Sequence, residues 1–94
     1  MGVLKPIDQG EILRPIRVYL KGRGYWFETL RAWLNEIRDL LEYEYDIKLE
    51  IIVRDGDEMP EIYVEDIFAL KGVPREEGYL IELMKVAIEE VLKS

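Results

Sequence analysis

Apolar and polar positions change their period several times along the chain, and each change predicts an element. Residues 1–15 contain Pro6 and Gly10 and show no clear period, so they read as an N-terminal arm or a short edge strand. Ile16, Val18 and Leu20 alternate with Arg17 and Tyr19, which is the pattern of a strand. From Tyr25 the spacing becomes three and four: Trp26, Leu30, Trp33, Leu34, Ile37, Leu40 and Leu41 would share one face of a helix of about twenty residues, roughly 30 Å long. Ile47 to Val53 alternates again. A polar turn, Arg54 to Glu58, follows, with Gly56 available for a positive φ. Glu61 to Glu65 and Ile67 to Leu70 read as a hairpin turning at Glu65-Asp66. Pro74 opens a last helix with Glu76 and Glu77 in its first turn and Lys93 at its end, the polarity a helix dipole favours. Leu80, Leu83, Met84, Ala87, Ile88 and Val91 form its apolar stripe.

The predicted order is β-α-β-β-β-α over residues 16–94. A strand–helix–strand unit closes right-handed, which makes the first two strands parallel neighbours. The helices then cover one face of the sheet or one face each, giving a two-layer or three-layer α/β sandwich.

Composition narrows the class. Ninety-four residues, about half of them apolar and a third charged, suit one soluble domain with a single core. No apolar run is long enough to span a membrane, and the first residues lack the layout of a signal peptide, so the expected location is cytoplasmic. Asn35, Gln9, Thr29 and Ser94 are the only residues of their types, and histidine is absent. Scarce amides with abundant Glu, Lys and Arg fit a thermophile. Net charge is −7, unevenly spread: residues 1–24 carry five Lys/Arg against two Asp/Glu, and the rest carry eight against eighteen. An acidic body repels phosphate backbones, so nucleic acid is not an expected partner.

Candidate chemistry centres on the junction between the first strand and the first helix. Lys21-Gly22-Arg23-Gly24 is a basic, glycine-bearing loop at a helix N-terminus, where free N–H groups attract anions; it also reads as a tight turn with solvated basic residues. Tyr25, Trp26 and Phe27 follow, and a helix cannot bury three consecutive side chains on one face. At least one of the three is therefore exposed or only partly covered beside the loop, either as an anchor for a partner or as Tyr25 capping the core edge while Trp26 and Phe27 pack down. Asp55, Asp57 and Glu58 have oxygen ligands around a glycine but not the spacing of a calcium loop, so no metal site is expected. Without histidine or cysteine, zinc sites, serine-type triads and imidazole catalysis are excluded, and no carboxylate pair stands out among twenty acids.

The element order, with a loop-to-helix junction after the first strand and Met59-Pro60 directly before a later one, resembles the thioredoxin-like superfamily. In the glutaredoxin frame, Tyr-x-x-x-x-Cys-x-x-Cys places Tyr19 on the tyrosine and Gly24 and Phe27 on the cysteines. Met59-Pro60 then takes the place of Val-Pro, and Lys71-Gly72 that of Gly-Gly. In the selenoprotein W-like frame, Tyr-Cys-x-x-Cys/Sec sets the redox positions on Leu20 and Arg23, and Gly72-Val73-Pro74 resembles Gly-Phe-Pro. Only Arg54 to Pro60 separate the second and third strands, too few residues for the helix glutaredoxins put there, which favours the selenoprotein W-like layout. The resemblance implies a cis proline at Pro60 facing the loop. It also locates a departure: the chain has no cysteine, and no other side chain supplies a thiolate, so thiol–disulfide chemistry by this chain is excluded.

The resulting expectation is a redox-inactive, thioredoxin-like binding module for a protein partner or for a second copy of itself, without a cofactor. Lys21, Gly22, Arg23, Gly24, Tyr25, Trp26, Met59 and Pro60 form the candidate site. The alternative is a non-thiol enzyme or a binder of a small anionic ligand on the basic loop.

Overall fold

Alternation in the strands and three-and-four spacing in the helices decide the architecture, which a computed structural model describes for residues 14–93. The expected arm lies outside the described residues, apart from Arg14 and Pro15. Those two belong to the first strand, β1 (Arg14–Lys21), because they pair with Ile47 and Lys48. Helix α1 (Gly24–Tyr45) follows, then β2 (Ile47–Arg54), β3 (Glu61–Val64), β4 (Ile67–Lys71) and helix α2 (Glu77–Lys93). The sequence order β-α-β-β-β-α is the observed one.

The four strands form one mixed sheet in the order β2-β1-β3-β4. β1 and β2 are parallel neighbours, Ile16 opposite Leu49 and Lys21 opposite Arg54, while β3 is antiparallel to both β1 and β4. A bulge between Ile62 and Tyr63 adds Ala69 to β4 and interrupts its alternation, so Phe68 and Leu70, two residues apart, lie on opposite faces, Leu70 in the core and Phe68 exposed. Ile16, Val18, Leu20, Leu49, Ile62, Val64 and Leu70 are buried on one face, and both helices pack there, against the sheet and against each other. The sandwich therefore has two layers. The other face carries no helix.

Helix α1 buries Phe27, Leu30, Leu34, Ile37 and Leu41. This shifts the expected stripe: Phe27 takes the place of Trp26, and Trp26 and Leu40 are exposed. Counting back by three and four from Leu34 reaches Leu30 and then Phe27 or Trp26, and the helix keeps the one over the sheet. Asp46 adopts a left-handed conformation and closes the helix by donating its N–H to the carbonyl of Glu42. Helix α2 begins at Glu77 rather than at Pro74, and of its stripe Leu83 is only partly covered. Tyr45 and Lys85 tie the helices together, the phenol donating to Glu89 at 2.6 Å and the ammonium pairing with Glu44 at 3.0 Å.

Candidate functional site

Three loops meet at the end of the sheet where β1 stops. Gly22 donates its N–H to the carbonyl of Arg54 at 3.2 Å, and Arg23 donates to that of Asp57 at 3.1 Å. The β1–α1 loop is thereby tied to the β2–β3 turn. Gly72, after β4, donates to the carbonyl of Pro60 at 2.7 Å, which fixes the third loop to the same segment.

Glycine is required where these loops touch. Gly22 has φ +151°, and a Cβ there would lie 3.0 Å from Pro60 Cβ and 3.1 Å from Phe27 Cδ1. A Cβ on Gly56 would lie 2.8 Å from the Gly22 nitrogen. Gly56 does not have a positive φ, so its role is close approach to the neighbouring backbone rather than the turn conformation expected from sequence.

The expected site residues are divided by this arrangement. Pro60 is buried behind Gly22, so it shapes the site from beneath. The Met59–Pro60 peptide is trans, the ordinary state of a prolyl bond, not the cis form the resemblance implies. Tyr25 is 73% exposed and Trp26 52%, their rings in edge contact at 4.9 Å, while Phe27 is buried. Trp26 and Met59, itself 52% exposed, line a concavity of about 420 Å³ with Lys71, Gly72 and Val73. Its surface is mainly apolar.

Lys71, Gly72 and Val73 carry no chemistry visible in the sequence; only the Gly-Gly and Gly-Phe-Pro patterns mark them. Arg23 stands at the N-cap with an exposed side chain that makes no capping hydrogen bond, and the first turn of α1 holds no acidic residue. Gly24 is exposed, and Lys21 points away from the groove onto the bare face of the sheet, its ammonium 5.7 Å from the Tyr63 ring centre. Of the positions that the two family frames assign to thiols, Leu20 and Phe27 are buried, and Arg23 and Gly24 are exposed.

Asp55 and Asp57 border a smaller cleft of about 170 Å³ with Lys21, Gly56, Met59 and Glu61. Among the described residues no three carboxylates converge as a metal site would need, and no helix is long and apolar enough to cross a membrane.

Comparison of the chain with protein-family models, with curated proteins and with solved structures gave no match.

Proposed function

We propose that this chain is a thioredoxin-like binding domain that performs no thiol chemistry, and that its Trp26–Met59 groove receives a protein partner or a second copy of the chain. The observation that carries the reading is the convergence itself. The helix start, the Met59-Pro60 segment and the Lys71-Gly72-Val73 segment are distant in sequence, and each matches a part of the family pattern. They build one mainly apolar groove lined by the exposed Trp26, whose ring meets the exposed Tyr25 edge-on. Exposed aromatic and methionine side chains around a concavity are the usual anchors of protein interfaces. The absence of a helix between β2 and β3 supports the selenoprotein W-like layout. The alternative, a small anion on the Gly22-Arg23-Gly24 loop, would rest on the uncapped end of α1 alone, so binding of a protein is preferred.

The test is site-specific photo-crosslinking in cells of origin, with the photoreactive residue at Tyr25 or, as a control, at Tyr43, exposed near the far end of α1. A discrete adduct is expected from position 25 and not from position 43, and it disappears with Trp26→Ala and Met59→Ala. An adduct at position 25 that survives both substitutions, or no adduct there at all, overturns the proposal.

A further inference from the structure

The bare face of the sheet holds an arrangement that neither folding nor the groove explains. Register aligns Ile52, Tyr19, Tyr63 and Phe68 in a row across all four strands, with Arg54, Lys21, Glu61 and Lys71 in the row beside it. Two cations of this face are neutralised within it: Lys71 pairs with Glu61 and Arg17 with Glu65, both at 3.9 Å. Lys21 and Arg54 form no such pair among the described residues. Instead they are direct partners across β1 and β2. Like charges placed directly opposite each other destabilise a sheet, and Glu61, opposite Lys21 on the β3 side, pairs with Lys71 instead.

Each cation lies over a tyrosine, Lys21 Nζ at 5.7 Å from the Tyr63 ring centre and Arg54 Cζ at 5.2 Å from that of Tyr19. With Glu65, these four side chains line a concavity of about 430 Å³, open to solvent. None of them lines the Trp26–Met59 groove. The volume is within the roughly 300–1,000 Å³ of small-molecule sites.

We infer that this concavity binds a small aromatic anion, a planar ring bearing one phosphate or carboxylate. The anionic group sits between Lys21 and Arg54 and cancels the repulsion the register imposes. Arg54 supplies a planar fork able to hold two oxygens, and Lys21 a point charge. The ring packs on the Tyr19–Tyr63 side, where aromatic rings meet in offset or edge geometry. Glu61 and Glu65 flank the pair, and with the chain's net charge of −7 they disfavour a polyanion such as a nucleic-acid strand.

The experiment is an amide-detected NMR titration of the full chain with phenyl phosphate, benzoate, inorganic phosphate and benzyl alcohol. Saturable shifts are expected at Tyr19, Lys21, Arg54 and Tyr63 with phenyl phosphate or benzoate, and whichever is tighter identifies the anionic group. Inorganic phosphate and benzyl alcohol each bind at least tenfold more weakly. Lys21→Gln and Arg54→Gln each weaken binding about tenfold, the size of one charge-assisted hydrogen bond, with the rest of the spectrum unchanged as proof of folding. Trp26→Ala leaves it intact, so this site and the groove stand or fall separately. No saturable shift with either aromatic anion, shifts that persist in the Lys21→Gln/Arg54→Gln double variant, or inorganic phosphate binding as tightly as phenyl phosphate overturns the inference.

Discussion

Replacing Gly22 by alanine isolates the contact that assembles the loop end of the sheet. The added Cβ would stand 3.0 Å from Pro60 Cβ and 3.1 Å from both Pro60 Cα and Phe27 Cδ1. Carbon pairs prefer about 3.5–4.0 Å, so both neighbours must retreat by a few tenths of an ångström. Neither has an easy route, since Pro60 is a buried ring on the β3 side and Phe27 is held in the core. Overpacking of this kind costs about 1–3 kcal/mol. The backbone at φ +151° adds a further cost of the same order, about 1–3 kcal/mol. The less flexible unfolded chain returns about 0.4–1 kcal/mol. The net loss is about 3 kcal/mol, a large fraction of the roughly 5–10 kcal/mol expected for so small a domain.

Guanidinium unfolding followed by tryptophan fluorescence measures it. With a slope of about 3 kcal/mol per molar, the midpoint of Gly22→Ala falls by about 1 M. Gly24→Ala is the control, because its φ of +86° carries a backbone cost but nothing lies within 4 Å of its Cβ. It loses about 1 kcal/mol and about 0.3 M. Gly56→Ala has the clash without a positive φ and falls between the two. If Gly22→Ala costs no more than Gly24→Ala, Pro60 and Phe27 yield freely and the account of the junction is wrong.

Phe27→Ala removes about 3–5 kcal/mol of stability, whereas Trp26→Ala one residue away changes it by less than about 1 kcal/mol; equal losses in the same unfolding assay would contradict the burial of one and exposure of the other. The Tyr45 phenol is pushed up from its ordinary 10, first by burial and then by its hydrogen bond to Glu89. A raised folded value means the bond contributes below pH 10 and is lost as pH rises through the folded value. Tyr45→Phe therefore costs about 1 kcal/mol at neutral pH, and in a spectrophotometric titration it removes a late-ionising tyrosine. The Glu77 carboxyl is raised above its ordinary 4.5, first by a hydrogen bond with Glu36 across the helices. Protonated, the pair attracts; ionised, it repels. Relative to Glu77→Gln, the parent chain gains stability on acidification toward 4.5 and loses it as pH rises through the raised value, which unfolding midpoints at pH 4 and pH 7 compare.

Much of the fold was legible because it rests on local periods. The alternation of Ile16, Val18 and Leu20, the spacing of Leu30, Leu34 and Ile37, and the shortness of Arg54 to Pro60 set the element order and the parallel pairing of β1 with β2. Boundaries were less legible. Pro74 looks like a helix start, yet the helix waits until Glu77, and Trp26 fits the spacing as well as Phe27 does. A helical period tolerates either of two adjacent residues, and only the position of the sheet beneath decides which is covered. The exposed aromatics followed from a counting argument, three bulky side chains in succession, and did not depend on the family frame.

The two surfaces differ in what sequence can say of them. The groove joins segments that the thioredoxin-like pattern marks, so its residues are half visible in the sequence. The Lys21–Arg54 pair is not, because nothing local distinguishes a lysine ending one strand from an arginine ending another thirty-three residues later. Their opposition arises from the parallel register of β1 and β2. Their accessibility arises from both helices packing on the same side of the sheet. A third layer would have buried the row of Ile52, Tyr19, Tyr63 and Phe68, and the two cations would have needed partners or replacement. An uncovered sheet face normally alternates to polar residues. Here it keeps aromatics in the central row and, beside it, two like charges opposite each other that form no ion pair among the described residues, a combination the core does not require. Such local conflicts in an otherwise consistent sequence are where function is to be sought.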